Sequence, residues 1–165
     1  MFDVLIIGAG VAGGMIARTL SAYDLKICIV EKENDVAMGA TKANSAIVHA
    51  GFDAKVGTLK AKFNVRGSEL MPKVAEELGV KYENNGSLVI GFTEEDRETI
   101  KALYERGRTN GVKELKIVEK EELSVLEPNL SEEVLCALYA PTGAITCPYE
   151  LTIAAIGNAM DNSAE

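Results

Sequence analysis

The chain has 165 residues, of which 47% are hydrophobic and 25% charged, proportions typical of a globular domain with its own core. Its net charge of −8 argues against nucleic acid as a partner, because phosphate-backbone binding needs a concentrated positive surface. Neither a signal peptide nor an apolar run of roughly 18 residues is visible, so the sequence predicts a cytoplasmic location.

Cysteine and histidine usage excludes several kinds of site. The three cysteines lie far apart without C-x-x-C spacing, and His49 is the only histidine. A zinc site built from several histidines is therefore excluded, and no metal is predicted.

The first 31 residues predict one strand–helix–strand unit. The apolar residues 2–7 indicate a buried parallel strand, residues 11–23 a helix, and residues 26–31 a second strand. We expect the apolar side of the helix to be formed by Val11, Met15, Ile16 and Leu20.

The remaining residues predict shorter alternating elements. Residues 32–58 form a long loop of small and polar residues, which is typical of a functional segment. Thr93 to Asp96 resembles a capping box. Helices are predicted at about 59–78, 93–108, 120–126 and 148–160, and strands at about 86–92, 115–118 and 134–139.

The turn after the first strand has the sequence Gly8-Ala9-Gly10-Val11-Ala12-Gly13. This spacing is weak evidence alone, but here it follows a strand, opens a helix and precedes an acidic residue, Glu31, at the end of the next strand. Gly8 permits the tight turn, Gly10 lets the main chain approach a pyrophosphate, and Gly13 lets the helix lie close to the strand. Glu31 is expected to accept hydrogen bonds from a ribose and to repel a 2′-phosphate, which disfavours NADP.

The long loop favours FAD over NAD. A plain NAD-binding domain usually returns quickly to a helix, whereas here residues 32–58 intervene. Such a loop can run beside an extended cofactor and donate N–H and hydroxyl groups to its phosphates and ring. FAD is therefore the predicted cofactor, with Lys32 placed in the cofactor site beside Glu31. An NAD-dependent enzyme is the alternative.

Residues 39–51, GATKANSAIVHAG, resemble the flavin loop of the FAD-dependent oxidoreductases of the D-amino-acid-oxidase superfamily. Two branches are similar, the glycerol-3-phosphate dehydrogenases and the L-2-hydroxyglutarate oxidases, and the similarity extends from Asp3 to about Met160. Members of the superfamily are much longer. The resemblance therefore implies an N-terminal portion that lacks later sheet strands and most of the substrate pocket.

The resemblance implies a flavoenzyme that oxidises a small hydroxy acid or polyol phosphate by hydride transfer to FAD. A small anionic substrate is expected, with a quinone, a carrier protein or oxygen as electron acceptor, and peripheral membrane association of a full-length form is left open. By position, the resemblance assigns flavin or pyrophosphate contacts to Thr41 and Ser45, with Asn44 beside them along the phosphate-to-ring portion of FAD. It places His49, Ala50 and Gly51 near the isoalloxazine ring.

His49 has three open interpretations. It is a base that takes the proton of a substrate hydroxyl, a contact to the flavin ring, or a loop histidine satisfied by main-chain hydrogen bonds. The resemblance places it near the flavin and makes it the candidate catalytic residue.

Two features bear on the substrate. The glycerol-3-phosphate branch has an arginine two residues after its His-Gly-Gly, suited to a phosphate, whereas this chain has Asp53 there. Residues 57–61, GTLKA, are more similar to the hydroxyglutarate branch. Both substrates remain candidates beside a truncated dinucleotide-binding fragment without catalytic activity.

The predicted fold class is α/β, a Rossmann-type FAD-binding βαβ unit followed by the start of a second, substrate-binding α+β region. The expected domains are a FAD-binding region at 1–80, a partial substrate-binding region at 81–147, and a truncated helix at 148–165 that returns to the FAD-binding domain.

Overall fold

A computed structural model describes residues 1–165 as eight strands and five helices. The strands are β1 (Val4–Ile7), β2 (Ile27–Val30), β3 (Ile47–Val48), β4 (Tyr82–Glu83), β5 (Ser87–Gly91), β6 (Lys116–Glu119), β7 (Cys136–Ala140) and β8 (Ala144–Thr146). The helices are α1 (Val11–Leu20), α2 (Leu59–Leu78), α3 (Glu94–Asn110), α4 (Lys120–Leu126) and α5 (Pro148–Asp161). Not one of these helices is long and apolar enough to cross a membrane.

The elements group into two compact units. The first comprises Met1–Ile47, Lys73–Tyr82 and Thr146–Glu165, and the second comprises Val48–Pro72 and Glu83–Ile145. The chain passes from one unit to the other within the short strands β3, β4 and β8 and within helix α2, between Pro72 and Lys73.

The first unit contains the predicted strand–helix–strand motif. β1 and β2 pair in parallel, with Val4 opposite Ile27 and Ile7 opposite Val30. A parallel pair needs a crossover connection, and α1 supplies it. Helix α5 packs along α1, and a shared core lies between the helices and the strands, formed by Ile6, Ala17, Ile27, Ala159 and Ala164.

The other edge of β2 pairs with the main chain of Glu165. The Glu165 N–H donates to the carbonyl of Ile27 at 2.9 Å, and the Ile29 N–H donates to the carbonyl of Glu165 at 2.7 Å. This exchange is the pattern of two parallel strands, so Glu165 lies alongside β2 and runs in the same direction.

The buried side of α1 differs from the predicted one. Gly13, Gly14 and Ala17 are its buried residues, while Ile16 is 51% exposed, so the prediction of an apolar side that includes Ile16 was wrong. The reason is the close approach of α5: a Cβ added to Gly14 would lie 3.0 Å from the Ile156 side chain. On the α1 side, small residues rather than large ones form the contact with α5.

The second unit is built on the antiparallel sheet β5-β7-β6. Leu138 of β7, fully buried, lies opposite Val89 of β5 and Ile117 of β6. Helix α3 packs on this sheet through Ile100. The predicted capping box is confirmed: the Asp96 N–H donates to the Thr93 hydroxyl, and the Asp96 carboxylate accepts the Thr93 N–H.

The predicted α/β class is therefore confirmed, with a parallel βαβ unit and a second α+β region. Helices α2 and α4 have the predicted bounds, and Pro148 begins α5 as expected. The other predicted strands and helices differ at their ends by one to three residues, as at α1, which ends at Leu20 rather than at residue 23. The short strands β3, β4 and β8 were not predicted, and β3 lies within residues 32–58, which were predicted to be a loop throughout.

Candidate functional site

A cleft of about 410 Å³ in the first unit lies between the glycine turn, the end of β2 and the following loop. Its volume lies within the range of roughly 300–1,000 Å³ that small-ligand sites occupy. Among its lining residues are Gly8 and Gly10 of the turn, Glu31 and Lys32, and Thr41 of the loop. We call it the glycine-turn cleft.

The glycines of the turn are required by its geometry. Gly8 has a φ of +107°, a conformation that side-chain-bearing residues rarely adopt. A Cβ at Gly13 would lie 2.0 Å from the carbonyl oxygen of Gly8, and a Cβ at Gly10 would lie 3.1 Å from the Thr41 hydroxyl. The turn therefore brings α1 directly against β1 and leaves the main chain at Gly10 uncovered.

The start of α1 offers hydrogen-bond donors to the cleft. The first N–H groups of a helix have no partner within it, and their dipoles favour an anion. The Val11 N–H donates to the Thr41 hydroxyl at 3.1 Å, whereas the N–H groups of Ala12 and Gly13 have no protein acceptor. Unpaired N–H groups at the start of a helix are suited to a phosphate, and Thr41, which lines the cleft, lies next to them.

Glu31 connects the end of β2 to the glycine turn. Its carboxylate accepts the Ala9 N–H at 2.7 Å, the Lys32 N–H at 2.9 Å and the Glu33 N–H at 3.1 Å. These bonds, that of Ala9 first, hold the pKa of the Glu31 carboxyl below its ordinary value of 4.5. A carboxylate accepts about four hydrogen bonds, so one position remains for a ligand hydroxyl.

The loop after β2 is attached to the turn through its main chain. The Ala37 N–H donates to the carbonyl of Ala9 at 2.9 Å, and Ala37 is buried with a φ of 60°. The Asn44 amide donates to the carbonyls of Ala40 and Thr41 and accepts the Ala46 N–H. Asn44 thus holds the loop in shape.

The residues predicted beside the flavin ring lie in the second unit. Ala50 and Gly51 are buried, and His49 is exposed. The Asn64 amide donates to the main-chain carbonyl of His49 at 2.7 Å. The imidazole makes no hydrogen bond to the protein, so its two nitrogens are available to a ligand.

Five of the predicted residues line this one cleft, namely Gly8, Gly10, Glu31, Lys32 and Thr41. Gly13 lies directly behind them, against the main chain of Gly8. Lys32 is solvent-exposed and pairs with Glu33 at 3.3 Å, and Ser45 is exposed on the loop. The cofactor contacts of all these residues, and of Asn44, Ala50 and Gly51, remain predictions.

Several residues that shape the site were not found from the sequence. Ala37 carries no signal, because an alanine with positive φ cannot be distinguished from any other loop alanine. Tyr149 donates to the Asp35 carboxylate at 3.3 Å and so connects α5 to the loop. Asn64 donates to the main-chain carbonyl of His49, and Asn110 donates to that of Gly51, two contacts that no sequence pattern indicated.

A parallel strand pair, a glycine turn without room for side chains, free helix N–H groups and a carboxylate closing the second strand define a Rossmann-type dinucleotide-binding protein. The sequence profile described as "FAD dependent oxidoreductase" (DAO) matches residues 3–165. The chain belongs to this family, whose cofactor is FAD, as the sequence predicted.

The chain is also similar to individual enzymes with assigned names. The chain is 51% identical over 162 residues to a glycerol 3-phosphate dehydrogenase of Caloramator mitchellensis, covering 98% of this chain and 34% of that protein. It is 37% identical over 148 residues to a mitochondrial L-2-hydroxyglutarate dehydrogenase of Dictyostelium discoideum, covering 88% and 33%. The chain spans about a third of the length of these curated relatives.

Among solved structures, the reduced L-α-glycerophosphate oxidase of Mycoplasma pneumoniae with FAD bound superimposes with a TM-score of 0.94 at 31% identity. The match covers 99% of this chain and 44% of the oxidase. The predicted resemblance to the glycerol-3-phosphate and hydroxyglutarate branches is therefore confirmed.

The residues of the glycine-turn cleft fit the ADP portion of FAD. The uncovered main chain at Gly10 and the free N–H groups of Ala12 and Gly13 suit the pyrophosphate. The remaining acceptor position of Glu31 suits a ribose hydroxyl. A side chain at Gly13 would exclude this arrangement, because it would overlap the Gly8 carbonyl.

Proposed function

We propose that this chain forms the FAD-binding part of an oxidoreductase that oxidises a CH–OH group of a small anionic substrate. The observation that carries the proposal is the glycine-turn cleft, in which free helix N–H groups and the Glu31 carboxylate lie at the same edge of one strand–helix–strand unit. Bound FAD supplies the hydride acceptor.

In this proposal, Gly8, Gly10 and Gly13 seat the pyrophosphate and Glu31 binds the ribose, with Lys32 beside it. Thr41 binds the phosphates, and Asn44 and Ser45 line the route toward the ring. Ala50 and Gly51 present main-chain groups to the flavin. The geometry of the cleft supports the roles of the residues that line it, and the resemblance of residues 39–51 to the flavin loop of the family supports those of Asn44, Ser45, Ala50 and Gly51.

His49 is proposed as the catalytic base. Its imidazole is exposed and makes no hydrogen bond to the protein, while Asn64 holds its main-chain carbonyl. In the oxidation, the hydroxyl proton passes to an imidazole nitrogen as the hydride leaves the carbon, and the C–OH becomes a carbonyl. Electrons then pass to a quinone, a carrier protein or oxygen.

Glycerol 3-phosphate is the first substrate candidate, because the Caloramator relative named for it is 51% identical to this chain. L-2-Hydroxyglutarate is the second candidate, favoured by Asp53. Asp53 stands where the glycerol-3-phosphate branch has an arginine suited to the substrate phosphate, and residues 57–61, GTLKA, are more similar to the hydroxyglutarate branch. Flavin bleaching under anaerobic conditions by one substrate and not the other, in a full-length form, decides between them.

The cofactor part of the proposal is tested by titrating the chain with FAD and, separately, with NADH. We expect FAD to bind more tightly and to give a perturbed visible flavin spectrum. Tighter binding of NADH would support an NAD-dependent enzyme instead. A spectrum identical to that of free FAD would contradict the assignment of the cleft. FAD binding without turnover, in chain and full-length form alike, would support a cofactor-binding module.

A further inference from the structure

We propose that Asn110 is a positioning residue for His49, acting through the main chain of residues 49–54. We call these residues the His49 segment. The inference rests on the proposed function for the role of His49, but the contacts that carry it lie entirely within the second unit. Asn110 itself touches neither substrate nor cofactor in this proposal.

The Asn110 amide bridges two carbonyls of the segment. Its Nδ2 atom lies 3.0 Å from the carbonyl oxygen of Gly51 and 2.7 Å from that of Ala54. The two carbonyls flank the bend formed by Phe52 and Asp53. A single amide group therefore fixes the width of this bend.

Other contacts from α2 and α3 complete the attachment. Asn64 donates to the carbonyl of His49, and Arg106 donates to the carbonyl of Asp53. A Cβ at Gly107 would lie 2.8 Å from the Cβ of Phe52, so α3 approaches the segment without an intervening side chain. The His49 segment, which follows β3, is thus held at its carbonyl groups rather than by strand pairing.

Burial makes these donors necessary. Ala50 is 2% exposed, Ala54 is 3% exposed and Gly51 is buried, so both carbonyls that Asn110 holds belong to buried residues. Gly51 has a φ of +112°, and a Cβ there would lie 2.6 Å from Val65. A buried carbonyl without a donor is costly, and the closely packed main chain cannot rotate to find another.

The exposed imidazole depends on this main chain for its position. It has no hydrogen bond of its own to the protein, so nothing at the ring compensates if the segment shifts. Asparagine is suited to the role because its amide carries two N–H donors. The substitution Asn110→Asp would set carboxylate oxygens against carbonyl oxygens, and Asn110→Leu would offer no donor.

The test uses the fact that the chain has a single histidine. Its ring Cε1–H gives one proton NMR resonance that is followed in wild type, N110L and N110Q without any ligand. We expect a shifted or broadened resonance in N110L and a return toward the wild-type line in N110Q, which keeps both donors. FAD titration of N110L should show affinity lower by about tenfold, the order expected for lost buried hydrogen bonds.

The matched control is N162L. Asn162 also stands at the end of a helix, and its amide also donates to a carbonyl, that of Asn158, but it lies in the first unit, outside the His49 segment. Its variant should leave the imidazole resonance unchanged. This control separates a local effect at His49 from general destabilisation.

An unchanged imidazole resonance in N110L would overturn the proposal. Where N110L fails to fold by circular dichroism, N110A carries the same comparison. Absence of FAD binding in the wild type would contradict the proposed function alone, because the resonance comparison needs no cofactor. An equal change in N162L and N110L would also overturn the positioning role.

Discussion

The glycine-turn cleft and the His49 segment are held in place in different ways. In the first, the main-chain N–H groups of the glycine turn and its loop are held locally: the Ala9 N–H donates to the Glu31 carboxylate, the Ala37 N–H donates to the Ala9 carbonyl, and the main chain of Gly13 lies against Gly8. In the second, side-chain amides from two helices hold main-chain carbonyls. A substitution in the cleft should therefore act through steric overlap or through loss of a side-chain acceptor for main-chain N–H groups, and one near the His49 segment through loss of a donor from a distant helix.

The largest expected effect is that of Gly13→Ala. The added Cβ would lie 2.0 Å from the Gly8 carbonyl, so α1 and β1 must separate. We expect a loss of about 3 kcal/mol in the free energy of unfolding, the upper range for overpacking, together with loss of FAD binding. Urea unfolding and FAD titration measure the two effects.

Gly157→Ala is the control for this substitution. Gly157 also lies within a helix, but a Cβ there meets nothing within 4 Å. Alanine is favoured over glycine in a helix by about 0.5–1 kcal/mol, so this variant should gain stability and keep FAD binding. Equal stability of the two variants would show that α1 does not lie as close to β1 as described.

Glu31→Gln should have the second-largest effect. Glutamine has one acceptor oxygen for three N–H groups, so we expect lower stability at neutral pH and FAD affinity lower by about tenfold. Because folding lowers the Glu31 pKa, the stabilisation is complete above the ordinary value of 4.5 and is lost as the pH falls through the lowered pKa. The difference in the free energy of unfolding between wild type and E31Q should therefore become smaller as the pH falls. Urea unfolding midpoints, measured from neutral pH downward, test this.

Asp96→Asn is the control for Glu31→Gln, because it should lower the stability of the fold without lowering the affinity for FAD. The Asp96 carboxyl also has a lowered pKa, because it accepts the Phe92 N–H and the Thr93 hydroxyl and N–H. Its contribution has the same sign and is lost below its ordinary value of 3.8. Asp96 caps α3 and does not line the cleft, so FAD affinity should stay at the wild-type value. An equal loss of affinity in D96N would contradict the special role of Glu31.

Thr41→Val should have the smallest effect. It removes the acceptor of the Val11 N–H at almost constant volume, which should cost about 1 kcal/mol, as for loss of a helix cap. Thr19→Val is the control. Thr19 lies on α1, the helix that contains Val11, but its hydroxyl donates only to the Met15 carbonyl. FAD affinity should fall in T41V alone. Unchanged affinity there would remove Thr41 from the phosphate site.

The difference between the glycine-turn cleft and the His49 segment also explains which features could be predicted from sequence. The glycine turn was predictable because close approach and positive φ require glycine at fixed spacings, and a carboxylate at the end of β2 follows from the same motif. The capping box at Thr93 is equally local. These features depend on residues close together in the chain or on one short unit.

The remaining features depend on distant residues. Asn110 lies 59 positions from Gly51 and 56 from Ala54, so no local pattern indicates that its amide holds the His49 segment. The buried side of α1 was mispredicted at Ile16 because α5, far along the chain, selects the small residues Gly14 and Ala17. Tertiary packing overrides the apolar pattern of a helix in such cases.

The pairing of Glu165 with β2 has a practical consequence for labelling. A polypeptide joined to its carboxyl group would leave along the sheet edge in the direction of β2, toward the end of the strand that carries Glu31. An affinity tag or fluorophore fused there would run toward the Glu31 carboxylate, for which ribose binding is proposed. Met1 is fully solvent-exposed, so an amino-terminal fusion is the better choice for cofactor titrations.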